Sequence, residues 1–147
     1  GTYIATGEQD STIHFWVVQT GQDLQMWGYE TKALQLSWNH TGRYLATGGS
    51  ASIVIWDCSG KGPEGTTPQM LKGHTAPVSA LAYQPRGALL ASGGQDGRVA
   101  LWPMDQPKRG PLITQMESSI TQLVWAPDTP RVAVGTEAGL VVVLGSP

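Results

Sequence analysis

Short stretches in which apolar and polar residues alternate recur along the 147-residue chain, separated by clusters of Gly, Pro, Asn and Asp. Alternation at a period of two predicts strands with one buried face, and no stretch keeps the longer period of an amphipathic helix. The pattern is fullest in the third quarter of the chain. Pro77 to Tyr83 alternates over a strand's length and is followed by the turn Gln84-Pro85-Arg86-Gly87, in which proline presets φ and glycine permits the return. Ala88 to Gly93 predicts a second strand, Asp96-Gly97 a hairpin turn, and Arg98 to Trp102 a third strand that Pro103 ends. Pro111 to Met116 supplies a fourth.

The same order appears upstream as Ala33 to Trp38, Tyr44 to Gly48, Ser52 to Asp57 and Pro68 to Lys72. It appears downstream as Ser119 to Trp125, Arg131 to Gly135 and Leu140 to Leu144. The segment from Ser92 to Trp102 finds its counterparts at Thr6 to Trp16, Thr47 to Trp56 and Val134 to Leu144, a repeat of about 43 residues that marks a tandem architecture. Four units, approximately 1–28, 29–72, 73–116 and 117–147, are expected to carry three, four, four and three strands. The loop Ser59 to Thr67 lacks an apolar anchor and is expected to be exposed and mobile.

Gly73-His74, Ser92, Asp96 and Trp102, followed in register by Trp56-Asp57 of the preceding unit, resemble the WD-repeat β-propeller family over essentially the whole chain. The resemblance implies an all-β fold in which each unit is one blade and the blades surround a central channel. It also implies that His74, Ser92, Asp96 and Trp102 form the hydrogen-bonded tetrad that ties a blade's strands together. Elsewhere the tetrad is worn. The first unit keeps Thr6, Asp10 and Trp16, the second has Tyr29 and Ala51 for the histidine and aspartate, and the fourth has Met116, Ala138 and Leu144.

Composition narrows the function. Charged residues are only 14% of the chain, Gly numbers 19 and Trp 6, which suits a chain of strands and turns. Net charge is −2 and the nine Lys and Arg are scattered, so no basic stripe is available to neutralise phosphates and nucleic acid is not the expected partner. No apolar run approaches the ~20 residues of a membrane span. The single Cys58 makes no internal disulfide and fits a reducing, cytoplasmic setting.

Candidate chemistry reduces to structural readings. His74, Asp96 and Ser92 carry the side chains of a hydrolytic triad, yet no G-x-S-x-G elbow accompanies them. His14, at the repeat position of Val54 and Ala100, is expected between blades, and no His or Cys shows metal-site spacing. Gly48-Gly49 and Gly93-Gly94 lack the Lys-Ser and the helix of a phosphate cradle. Trp38, Tyr83 and Trp125 share one repeat position and are expected to pack blade against blade. Cys58 is expected to be exposed beside its loop, without a cation to activate it. No metal and no cofactor are expected.

Binding remains. In the resembled family the partner surface is commonly the face that carries the connection into each first strand and the turn between second and third strands. By position this implicates Gln9, Glu30, Lys32, Ser50, Thr75, Pro77, Gln95, Glu117, Ser119 and Glu137. A non-catalytic scaffold for a protein or peptide is therefore the expected function. The alternative is a propeller domain supporting an enzyme activity elsewhere in a longer parent chain. Four units whose terminal members lack one strand each would not close a ring alone, so the chain reads as a fragment whose apolar ends are covered by homodimerisation.

Overall fold

A computed structural model of the chain describes residues 1–27 and 33–145. Tyr29, Glu30 and Lys32, singled out above, lie outside the described residues. The described chain folds as strands and turns: β1 (Tyr3–Gly7), β2 (Ile13–Val17), β3 (Asp23–Met26), β4 (Gln35–Trp38), β5 (Tyr44–Gly48), β6 (Ser52–Asp57) and β7 (Gln69–Lys72) come first. β8 (Val78–Tyr83), β9 (Leu89–Gly94), β10 (Arg98–Pro103), β11 (Leu112–Gln115), β12 (Ile120–Trp125), β13 (Arg131–Thr136) and β14 (Val141–Gly145) follow. They pair into four antiparallel meanders, β1-β2-β3, β4 to β7, β8 to β11 and β12-β13-β14. Each strand lies beside its sequence neighbour, as short hairpins require.

Pro103 does not stand outside the strand as expected. It is the last residue of β10, opposite Leu89, at a strand end where its missing N–H leaves no gap in the ladder. The hairpin between β9 and β10 turns at Gly97, whose φ of 78° is left-handed backbone. A Cβ there would sit 2.5 Å from the Met116 carbonyl oxygen, so both conformation and space select glycine.

The sheets stack through three apolar layers. Tyr3, Ile13, Phe15 and Leu24 of the first sheet meet Leu45, Val54 and Trp56 of the second. Ala46, Ile53, Ile55 and Leu71 on its other side meet Leu81, Tyr83, Leu90, Ala100 and Trp102 of the third. Ala80, Ala91, Val99 and Leu101 then meet Ile120, Leu123, Trp125, Val132 and Val134 of the fourth. Thus both faces of the two middle sheets are buried, which is why β6 and β10 read as continuous apolar runs rather than alternating ones.

Bulges recur at Ser79 and Thr121, where β8 and β12 each carry one residue unmatched on the partner strand. The first of them turns the Ser79 hydroxyl toward the next sheet, where it donates to the Ile120 carbonyl. The shared aromatic position packs between sheets throughout. Trp38 lies edge-on to Phe15, Tyr83 is in the second layer, and Trp125 Nε1–H donates to the Ala82 carbonyl at 2.8 Å.

Three expectations change. The Ser59 to Thr67 loop has an anchor after all: Gly62 and Pro63 are buried, and a Cβ on Gly62 would run into the Tyr3 hydroxyl. Cys58 is buried in the first layer rather than exposed, and burial pushes its thiol up to about 12. His14 does not lie between two described sheets. It sits on the open face of the first sheet, where its Nδ1 is 2.9 Å from Asp23 and its ring stacks on Trp16.

Candidate interaction face

Hairpin register places Ser92 and Trp102 on the same face of the third sheet, opposite Ala100 and Leu90 respectively. Trp102 Nε1–H donates to Ser92 Oγ at 2.9 Å, and His74 Nε2 lies 2.8 Å from the same oxygen. His74 Nδ1 is 3.2 Å and 3.3 Å from the two carboxylate oxygens of Asp96. One neutral assignment satisfies each atom: the Ser92 hydroxyl donates to Nε2 and the Nδ1–H donates to Asp96. Leaving any member of this buried chain alone would incur the desolvation cost of a polar group.

The order Asp, His, Ser is that of a hydrolytic triad, but the surroundings are not. Ser92 is wholly buried and its oxygen is already capped by the indole N–H, so no acyl group has a path to it.

Asp96 also organises the loops. It accepts the backbone N–H of Thr75 at 2.8 Å and that of Arg98 at 3.0 Å, tying the entry to β8 to the β9–β10 turn. Burial pushes its carboxyl pKa upward, but the Thr75 and Arg98 amides and His74 outweigh it, so it titrates below the usual carboxylate range. A group with a depressed folded-state pKa contributes stability that is complete above the unfolded value, about 4, and is lost as pH falls through the folded value. The urea midpoint of the chain should therefore fall on acidification below about pH 4, and Asp96→Asn should flatten that fall while lowering the midpoint at neutral pH.

The other sheets show the network thinning. In the second, Trp56 Nε1–H donates to Thr47 Oγ1 at 3.1 Å with both residues buried. In the first, Trp16 reaches Thr6 at 3.3 Å on an open face, while Asp10 turns to Thr12. In the fourth, Val134 and Leu144 take the places of the serine and the tryptophan and pack without polar atoms.

At the strand ends above this network, residues expected at a partner surface are joined across three sheets. Val78 N–H donates to the Ser50 carbonyl at 2.9 Å and Gln95 N–H to the Pro77 carbonyl at 2.9 Å. Ser119 Oγ donates to the Gln95 carbonyl at 3.0 Å, and Glu137 N–H donates to the Ser119 carbonyl at 2.9 Å. The side chains of Thr75, Pro77, Gln95, Glu117 and Glu137 stand exposed on this braced backbone, with Ser50 and Ser119 half-buried. Gln9 is exposed at the β1–β2 turn of the first sheet, outside the ladder. Two of these bonds, Val78 to Ser50 and Ser119 to Gln95, link neighbouring units and could not be read from a single repeat. Among the described residues no group of three or more His, Cys, Asp or Glu side chains could hold a metal ion.

The profile of the family "WD domain, G-beta repeat" matches residues 24–57 and 65–103. The chain is 33% identical over 108 residues to Cell division cycle 20.5, cofactor of APC complex, of Arabidopsis thaliana, covering 67% of this chain and 23% of that protein. It is 30% identical over 107 residues to COMPASS component SWD1 of Saccharomyces cerevisiae, covering 72% and 25%. Actin-interacting protein 1 of Caenorhabditis elegans is 23% identical over 144 residues, covering 94% and 23%. The chain thus spans about a quarter of the length of these relatives. Among solved structures, a chain of the Mitotic Checkpoint Complex superposes with a TM-score of 0.78 at 23% identity, covering 92% of this chain and 43% of that one. U3-55K does so with 0.72 at 21% identity, covering 98% and 48%. Four stacked antiparallel meanders, the network from Trp102 to Asp96 and these matches agree, and the chain belongs to the WD-repeat β-propeller family.

Proposed function

We propose that the chain is a non-catalytic scaffold whose braced loop face, centred on Thr75, Pro77, Gln95, Ser119 and Glu137, presents a rigid polar surface to a protein or peptide partner. The observation that carries this reading is the ladder of hydrogen bonds from Ser50 to Glu137, which holds loop tips in place before a partner arrives. Preorganised loops lose little conformational freedom on binding, so more of each contact appears as affinity. Relatives named as a cofactor of the APC complex and as a COMPASS component support a role inside protein assemblies.

The test is affinity purification followed by cross-linking and mass spectrometry. The double variant Gln95→Arg, Glu137→Arg keeps the backbone ladder and should melt with the parent chain, yet its captured proteins should lose their cross-links to Thr75 and Glu117. Unchanged capture by the variant, or a catalytic turnover sustained by the 147-residue chain, would sink the scaffold reading.

The open faces of the first and fourth sheets support a second element of the proposal. Val124, Val141 and Val143 are exposed on the fourth sheet at the repeat positions of Ala82, Val99 and Leu101, which in the third sheet pack against the fourth. Ile4 and Trp16 are exposed on the first sheet at the positions of Leu90 and Trp102, which pack against the second. Each open face therefore offers what the other is built to receive. We propose that two copies of this chain associate head to tail, fourth sheet on first sheet at both junctions, into a closed two-fold ring.

A further inference from the structure

Met104 to Pro111, the connection from β10 to β11 at the strand ends opposite the loop face, is held as two successive turns. Gln106 N–H donates to the Pro103 carbonyl at 3.0 Å, and Arg109 N–H donates to the Gln106 carbonyl at 2.9 Å. Met104 N–H ties the segment to the Ala88 carbonyl at 2.9 Å. Pro103, Pro107 and Pro111 each fix φ, so the backbone between them has little freedom left.

Against this segment lies a hollow of about 210 Å³. A cavity of roughly 150 Å³ holds a benzene molecule, so there is room here for one aromatic side chain. Leu71 and Trp102 form the floor and are almost wholly covered. The half-buried Pro103, Met104 and Pro111 are the apolar surface that an occupant can touch.

Charge around the hollow is one-sided. Lys108 and Arg109 are exposed on its rim and also line the shallow depression that continues it. Among the described residues neither makes an ion pair, whereas Arg43 and Arg86 reach Asp57 and Asp128. No Asp or Glu lines the hollow or its continuation. Asp105, the acid of the same segment, lines instead the neighbouring cavity that shares Met104. Two adjacent cations without a counter-charge, beside an apolar hollow, complement carboxylates that flank an apolar side chain.

We propose that this hollow is a second docking site, separate from the loop face, for an acidic peptide segment. The segment seats one aromatic side chain against Met104, Pro103 and Pro111 and sets its carboxylates against Lys108 and Arg109. The fixed turns present both cations without a large ordering cost on binding.

The probe is the end-blocked hexapeptide Gly-Glu-Phe-Glu-Glu-Gly, titrated into the full chain while NMR follows the Met104 methyl and the amides of Lys108, Arg109, Thr75 and Gln95. Shifts should gather at Met104, Lys108 and Arg109 and leave Thr75 and Gln95 unmoved. Alanine in place of the phenylalanine should weaken binding about tenfold through lost apolar burial. Lysine in place of each glutamate should prevent saturation. The double variant Lys108→Glu, Arg109→Glu changes only exposed side chains and should melt with the parent chain. It should bind the acidic peptide about tenfold more weakly and the lysine peptide more tightly. The peptide series on the parent chain tests the site independently of that variant. The proposal is overturned by no saturable response of the Met104 methyl, by shifts centred on Thr75 and Gln95, or by equal binding of the phenylalanine and alanine peptides. Equal binding of the acidic and lysine peptides, a double variant that binds as the parent does, or tripolyphosphate saturating the site as tightly as the peptide would overturn it as well.

Discussion

Replacing Trp102 by alanine should lower the unfolding free energy of the chain by about 3–5 kcal/mol, the range for deleting a large buried aromatic side chain. Two losses combine. The indole is buried in the layer between the second and third sheets, against which the Gly73 backbone closes so tightly that a Cβ there would lie 2.9 Å from the ring. Its N–H also caps Ser92, and without it the chain of bonds through His74 to Asp96 loses its terminal donor. Trp102→Phe separates the two, because it retains most of the ring and should cost about 1–3 kcal/mol for the buried partner left short of a bond. Ile113→Ala, on an exposed position of β11, should shift the urea midpoint by much less. A Trp102→Ala chain that unfolds at the same urea concentration as the Ile113→Ala chain would show that the network does not hold the third sheet together.

At micromolar concentration the chain should scatter light as a particle of twice the monomer mass, and Val143→Asp should reduce it to the monomer. Val143 is 61% exposed in the single chain, so the aspartate would be solvated there and the fold should keep its circular dichroism. In the closed ring it would be carried into the junction occupied by Trp16 and Ile4 of the second copy, where an unpaired buried charge costs about 3–5 kcal/mol. That corresponds to a loss of more than a hundredfold in association. Ile113→Asp, also exposed but on the edge strand β11 of the third sheet, away from both open faces, is the control and should leave the dimer intact. A parent chain that remains a well-dispersed monomer across this range would refute head-to-tail closure.

Both predictions use positions that were readable from the chain for a simple reason. Strand alternation and hairpin turns act over a few residues, so the period of about 43 residues, the order of strands and the alignment of Ser92 with Thr47 and Thr6 are local facts. The four residues from His74 to Trp102 lie within one repeat, and their chemistry can be paired before any coordinates are known. Strand ends moved by one or two residues because hydrogen bonding, rather than apolar content, sets where a ladder stops, as at Pro103.

Where the reading went astray, the deciding partner came from another unit. The burial of Cys58 and Gly62 depends on packing by residues of the first sheet such as Tyr3, and the fate of His14 depends on which face of its sheet is covered. The bracing of the loop face joins Ser50 to Val78 and Gln95 to Ser119 across repeat boundaries. Sequence alone determined the repeat, the strands and the residue types available for a buried polar network, because these follow from short-range backbone and side-chain preferences. Tertiary structure decided which thiol is shielded and which loops are bonded across sheets, because burial is a property of neighbouring sheets and no single repeat contains it.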